Sequence, residues 1–177
     1  AHVAALSGYD VILTDLETEV LEYGLQTIDH NLDRQIKSGV VEAADKTPLM
    51  KRITTSTHVD QHREADLVIE SAVESFDIKA EIFRQLDDLC PPETLFASNT
   101  SSISITRLAA VTSRPDRLIG MHFMNPVPVM RLVEVVRGLE TSDTTVSTIR
   151  RVAEKLGKTP VECNDYPGFV SNRLLMP

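Results

Sequence analysis

Short apolar, β-rich runs alternate along the chain with longer stretches of helical periodicity, and this alternation constrains the fold more than any other feature. Tyr9–Asp15 is a strand-like run after a glycine. Leu21, Leu25, Ile28, Leu32 and Ile36 then recur three or four apart, marking one face of a helix stopped at Gly39. A helix over Ala43–Lys51 leads into a strand at Arg52–Ser56, and Ala65–Glu70 is a further apolar strand. Phe76–Leu89 is helical, with Ile82, Phe83, Leu86 and Leu89 on one face and Pro91-Pro92 beyond its end. Thr94–Ser98 is a strand and Ile105–Val111 a short helix. Strands at Arg117–Phe123 and Arg131–Val136, a helix marked by Val146, Ile149, Val152, Ala153 and Leu156, and a strand at Thr159–Cys163 complete the series. Apolar strands separated by helices predict an α/β, doubly wound, mostly parallel sheet of Rossmann-like type. In such sheets ligands bind beyond the carboxyl ends of the strands, so the residues just after each strand matter most.

The two ends break the pattern. Ala1–Gly8 reads as the last two turns of a helix, and Pro167 onward as a helix that has only begun, with Pro167 in its first turn. The expectation is a domain truncated at both ends. Composition narrows the partners. Among 177 residues, 18 Lys plus Arg against 26 Asp plus Glu leave a net charge of −8, which disfavours polyanionic partners such as nucleic acid or an anionic membrane surface. No apolar run is long enough to span a bilayer. Two cysteines, Cys90 and Cys163, make neither a disulfide framework nor a zinc site. The expectation is a cytoplasmic protein with reduced thiols and no metal.

Four strand ends carry polar groups. Asp15 is an acid at the end of the first strand, suited to the ribose hydroxyls of a dinucleotide or, as commonly, to a helix N-terminus; no G-x-G-x-x-G fingerprint precedes it in the chain. Glu70–Glu74 follows another strand. Asn99-Thr100-Ser101-Ser102 lies between a strand and a helix, where a capped turn is the simpler reading. His122 ends an apolar strand, and Glu134 sits twelve residues later between pairs of valines. An unpaired carboxylate there is costly to bury. The turn at Asn125-Pro126-Val127-Pro128 lets the two strands lie side by side, which makes His122 and Glu134 natural partners. A carboxylate-held imidazole suits proton abstraction from an alcohol.

At these residues the chain resembles a known family. Ala97–Ser102, Gly120–Met130 with its H-F-x-N-P-x-x-x-M block, Leu132–Val135, Gly157–Pro160 and Pro167–Arg173 resemble, in order and without obvious gaps, the L-3-hydroxyacyl-CoA dehydrogenases, in their bacterial 3-hydroxybutyryl-CoA form. The resemblance implies an oxidoreductase passing a hydride between NAD and C3 of a 3-hydroxyacyl-CoA. By it, His122 is the general base, Glu134 orients it, and Ser101 and Asn172 hydrogen-bond the substrate oxygen. Asp15, Glu74, Lys79, Asn99, Ser101 and Asn125 fall on cofactor-contact positions, and Asn31, Arg34 and Lys37 on a helical arm that touches the CoA moiety. It implies an NAD-binding domain over residues 1–166, lacking its first strand and glycine loop. Residues 167–177 would then begin a link to a helical domain that dimerises the protein. Such a fragment is expected to be inactive alone. A non-catalytic nucleotide- or acyl-CoA-binding relative, or the dehydrogenase part of a multifunctional fatty-acid oxidation protein, are the rival readings.

Overall fold

The first of two compact units, Ala1–Gln61, is organised by one long amphipathic helix. The structure is a computed structural model and describes residues 1–175. A short helix α1 (His2–Leu6) leads to strand β1 (Val11–Thr14) and then to the 20-residue α2 (Thr18–Lys37). The periodicity read from the sequence is the reason for α2: Leu21, Ile28 and Leu32 are its buried residues. Ile28 and Leu32 form this unit's core with Ala5 and Ile53. A 3-10 turn at Ala43–Asp45 precedes α3 (Lys46–Lys51), and Lys46 ties α3 to α2 by ion pairs to Asp29 at 2.8 Å and Asp33 at 2.6 Å. Strand β2 (Ile53–Ser56) pairs in parallel with β1, Val11 opposite Ile53 and Thr14 opposite Ser56.

The second unit, His62–Pro177, is built on a five-stranded sheet. Its elements run β3 (Leu67–Glu70), α4 (Phe76–Leu89), β4 (Leu95–Ser98), α5 (Ile105–Ala109), β5 (Leu118–Phe123), β6 (Leu132–Arg137), α6 (Asp143–Lys155), β7 (Thr159–Asn164) and α7 (Ser171–Leu175). Sheet order follows chain order, and every neighbouring pair is parallel except β5 and β6. The short Asn125–Pro128 connection explains the exception, because a parallel pair needs a long crossover. Strands β4, β5 and β6 are buried as their apolar runs require, and Phe83, Leu86, Phe96, Ile105, Leu108 and Leu118 pack as one core. Strand β7 departs from the expected doubly covered sheet. It is an edge strand, half exposed, and it carries Pro160, which lacks the N–H that an interior strand must donate.

One element begins later than the sequence predicts. The last helix starts at Ser171, not at Pro167. Gly168 and Phe169 stand in left-handed conformations, φ +76° and +49°, and close a turn before the helix. The rest of that predicted helix, Met176 and Pro177, lies outside the described residues.

Candidate active site

Antiparallel pairing of β5 and β6 sets His122 directly opposite Glu134. Side chains of paired residues share a face of the sheet, and here His122 Nδ1 lies 2.7 Å from Glu134 Oε2. Both side chains are withdrawn from water, His122 to 8% and Glu134 to 1% exposure. Burial raises the pKa of Glu134, but the hydrogen bonds from His122 and from Ser171 and Val170 outweigh it and leave the carboxyl below its ordinary range. An ionised carboxylate only accepts hydrogen bonds, so the proton between the two sits on Nδ1. That tautomer leaves the lone pair on Nε2, which makes no hydrogen bond among the described residues. Glu134 Oε1 accepts the backbone N–H groups of Val170, at 3.0 Å, and Ser171, at 2.8 Å. The ring of Phe169 stands edge-on to the imidazole, with centroids 5.8 Å apart.

Helix α7 joins this pair to the turn after β4. Asn172 Nδ2 donates to the backbone oxygen of Ser101 at 2.9 Å. Ser101 is held in turn by Glu74. A single oxygen, Oε1, accepts the Thr100 hydroxyl at 2.6 Å, the Ser101 and Ser102 amides at 3.0 and 3.1 Å, and both serine hydroxyls. Burial alone would raise the Glu74 carboxyl, but these donors together with Lys79 bring it down to about 2. The residues read as a capped turn are thus organised around an acid from another loop. Asn99 is committed locally as well: its Oδ1 accepts the Phe123 amide at 2.8 Å and ties the end of β4 to that of β5.

Beneath Glu74 lies a buried ion pair. Lys79, 1% exposed, donates to Glu70 Oε1 at 2.7 Å and to the Ala72 carbonyl at 3.1 Å, with Glu74 Oε2 3.6 Å away. Glu70 also accepts the Ser98 hydroxyl at 2.6 Å and the Ala72 amide at 2.6 Å. The ammonium of Lys79 therefore points into the protein, toward three oxygens. Asn125 is exposed in the β5–β6 connection, whose backbone Lys158 holds by donating to the carbonyls of Val127 and Met130, the latter at 2.8 Å. Burial lowers the Lys158 pKa.

The remaining candidates belong to the first unit. Asp15 is exposed at the end of β1, where its Oδ1 accepts the Glu17 amide at 3.3 Å, just ahead of α2. Asn31, Arg34 and Lys37 lie in the second half of α2, the two basic residues exposed. Most of a 20-residue helix, about 25 Å of rise, separates them from Asp15.

Residue reasoning marked Glu70 and Thr100 only as strand-end positions, Thr100 in a capped turn, and assigned no part to Lys158, Phe169, Val170 or Ser171. Glu70 had a readable signal, an acid closing an apolar strand. The amides of Val170 and Ser171 had none, since every residue but proline carries one. Among the described residues no group of His, Cys, Asp and Glu forms a metal site, and no helix is long and apolar enough to cross a membrane.

Residues 1–166 match the family described as 3-hydroxyacyl-CoA dehydrogenase, NAD binding domain. The whole chain is 49% identical to a 3-hydroxybutyryl-CoA dehydrogenase of Bradyrhizobium diazoefficiens, of which it covers 60%. It is 42% identical over 183 residues to the mitochondrial hydroxyacyl-coenzyme A dehydrogenase of Sus scrofa, covering 58% of it. Among solved structures, the (S)-3-hydroxybutyryl-CoA dehydrogenase of Ralstonia eutropha superposes with a TM-score of 0.95 at 47% identity, over 98% of this chain and 62% of that one. The chain thus spans about three fifths of the length of these relatives.

Proposed function

The chain belongs to the 3-hydroxyacyl-CoA dehydrogenase family, as its NAD-binding domain, and on that premise we propose that it supplies the proton-transfer groups and much of the cofactor site of an enzyme acting on 3-hydroxyacyl-CoA. The leading substrate pair is 3-hydroxybutyryl-CoA and acetoacetyl-CoA, named for the bacterial relatives. One observation carries the reading: His122, a buried imidazole, has Nδ1 on an ionised Glu134, and its Nε2 makes no hydrogen bond among the described residues.

The residues present fit part of the cofactor. Asp15, an exposed strand-end acid in a parallel pair, suits ribose hydroxyls. Glu74, whose Oε2 accepts no hydrogen bond among the described residues and lies 3.6 Å from Lys79, with its side chain 39% exposed, and Asn125 suit the other end. Lys79, turned inward, acts by holding Glu74 in place. The glycine-rich cradle for the pyrophosphate is not among the 177 residues. Bound NAD would accept or give the hydride at substrate C3. The chain's own work is the proton. In the oxidising direction His122 Nε2 takes it from the 3-hydroxyl, and Glu134 steadies the imidazolium that forms. In the reducing direction the same nitrogen returns it. The Ser101 hydroxyl, turning from Glu74 Oε1, and the second N–H of the Asn172 side chain, whose first is held by the Ser101 carbonyl, donate to the substrate oxygen, each worth about a few kcal/mol at comparable sites. Asn31, Arg34 and Lys37 offer donors and positive charge to the CoA phosphates. In the same proposal the chain acts in the cytoplasm, residues 167–177 begin the link to a helical domain, that domain makes a homodimer, and the 177 residues alone turn nothing over.

The test is a chimera in which the chain is completed with the segments by which the Bradyrhizobium relative is longer. It is expected to oxidise NADH in the presence of acetoacetyl-CoA. A folded chimera that binds NADH and acetoacetyl-CoA but transfers no hydride would make the chain a non-catalytic relative.

A further inference from the structure

The chain just before α7 is fastened at three points. Asp165 accepts the Ser104 hydroxyl at 2.7 Å and the Ile105 and Thr106 amides at 3.0 and 2.8 Å, which anchors the segment on the first turn of α5. Phe169 is 2% exposed and belongs to the main core, with Phe83, Phe96 and Ile105. Val170 and Ser171 give their amides to Glu134 Oε1. Between the first and last anchors the backbone turns through Gly168 at φ +76° and Phe169 at +49°. Left-handed backbone is uncommon outside glycine, and for a bulky residue it points to a constraint imposed by its surroundings. Here the constraint is readable. With Asp165 and Phe169 held, two left-handed residues in succession turn the next two N–H groups toward the buried carboxylate.

We propose that the Gly168–Ser171 turn is a positioning element for His122: it aims two amides at one oxygen of Glu134, and so keeps the other oxygen on Nδ1. The inference rests on reading His122 as the proton-transfer group. The physical reason is the bookkeeping of a buried carboxylate, whose two oxygens both need donors. If Oε1 lost its amides, the carboxylate would have to rotate, share the imidazole proton between both oxygens, or take up a proton. Each course loosens the bond that selects the tautomer with its lone pair on Nε2. No residue of the turn touches the imidazole through a hydrogen bond among the described residues. Besides the edge contact of the Phe169 ring, the turn's hold on the imidazole proton passes through Glu134.

The experiment reads the tautomer directly, in the protein labelled with nitrogen-15 histidine, with His122 assigned by the signals lost in His122→Gln. His122 is expected to show one tautomer, with a downfield, slowly exchanging Nδ1 proton. In Gly168→Ala that proton is lost and the two ring nitrogens converge in shift, as tautomers average. Gly168→Asn is the conservative control. Its Cβ meets the same neighbours, Arg173 Cγ at 3.3 Å and Asn172 Cβ at 3.5 Å, but Asn tolerates the left-handed region, so the wild-type signals return. Wild-type signals in Gly168→Ala, or equal changes in both variants, overturn the proposal. A second reading does not depend on Gly168 variants folding: the amide protons of Val170 and Ser171 must shift in Glu134→Gln, and unmoved amides overturn it too. Because turnover is not measured, failure here leaves the dehydrogenase reading standing, whereas an inactive chimera removes the catalytic purpose of the turn and leaves its hold on the tautomer.

Discussion

The two units hold the charged groups of the candidate site in opposite ways. In the second, Glu70, Lys79, His122 and Glu134 are buried, and each carboxylate is engaged by several donors. In the first, Asp15, Arg34 and Lys37 are exposed, and Asp15 has one long hydrogen bond to its own loop. Buried charges are expensive unless fully partnered, so their geometry is set by folding before any ligand arrives. Exposed charges are hydrated and screened, and their positions are settled only when a ligand meets them. Under the proposed function this is a division of labour: the second unit holds the groups of the chemical step in place, and the first offers contacts that tune what binds.

Four variants test this contrast. Lys79→Met leaves Glu70 buried without its cation. It is expected to cost about 3–5 kcal/mol of stability, measured by urea unfolding. A cost as small as that of an exposed pair would end the claim that the second unit is held by its buried charges. His122→Gln, in the completed chimera, is expected to lower turnover by about a hundredfold or more with NADH affinity unchanged. Steady-state assays with acetoacetyl-CoA giving near wild-type turnover would remove His122 from the chemistry. Asp15→Ser tests the other side. Repulsion between its carboxylate and a 2′-phosphate about 4 Å away is worth about 1 kcal/mol in water, so the NADPH-to-NADH ratio of kcat/KM should rise about fivefold. An unchanged ratio would leave Asp15 as an acid ahead of α2.

Glu74→Gln is the intermediate case, a half-exposed acid with many donors. Its carboxyl falls from 4.5 to about 2 in the folded chain. A group depressed in this way stabilises the fold above its unfolded value, and the contribution fades as pH falls toward the folded one. The stability gap between wild type and Glu74→Gln should therefore be full above about pH 4.5 and close as pH approaches 2. Urea midpoints followed down that range check it. A gap independent of pH would mean that the charge of Glu74 contributes nothing.

Much of the site's scaffold was legible because it is written in local pattern. Leu21 to Ile36 repeat at helical spacing, and the helix is there. Phe76–Leu89 coincides with α4. The pairing of His122 with Glu134 was readable too, since a short proline turn between two apolar strands leaves an antiparallel hairpin as the economical answer, and a carboxylate among valines needs a partner. Three features misled or stayed silent. Pro167 looks like a first-turn residue, yet the backbone beyond it turns left-handed before α7 begins. Lys79 falls by resemblance on a cofactor-contact position, yet its ammonium is buried against Glu70. Asn99–Ser102 does cap itself, with Thr100 Oγ1 accepting the Ser102 and Ile103 amides, but nothing local announces that Thr100, Ser101 and Ser102 also donate to Glu74, more than twenty residues away.

Sequence alone therefore determined the elements and the one polar pair that adjacent strands must make, because side-chain period and turn length act over a few residues. Tertiary structure decided where the backbone donors went: the Val170 and Ser171 amides to Glu134, and the Ser101 and Ser102 amides to Glu74. The reason is physical. A backbone N–H is the same group at nearly every residue, so only the arrival of a buried acceptor from a distant strand or loop makes one amide part of a site.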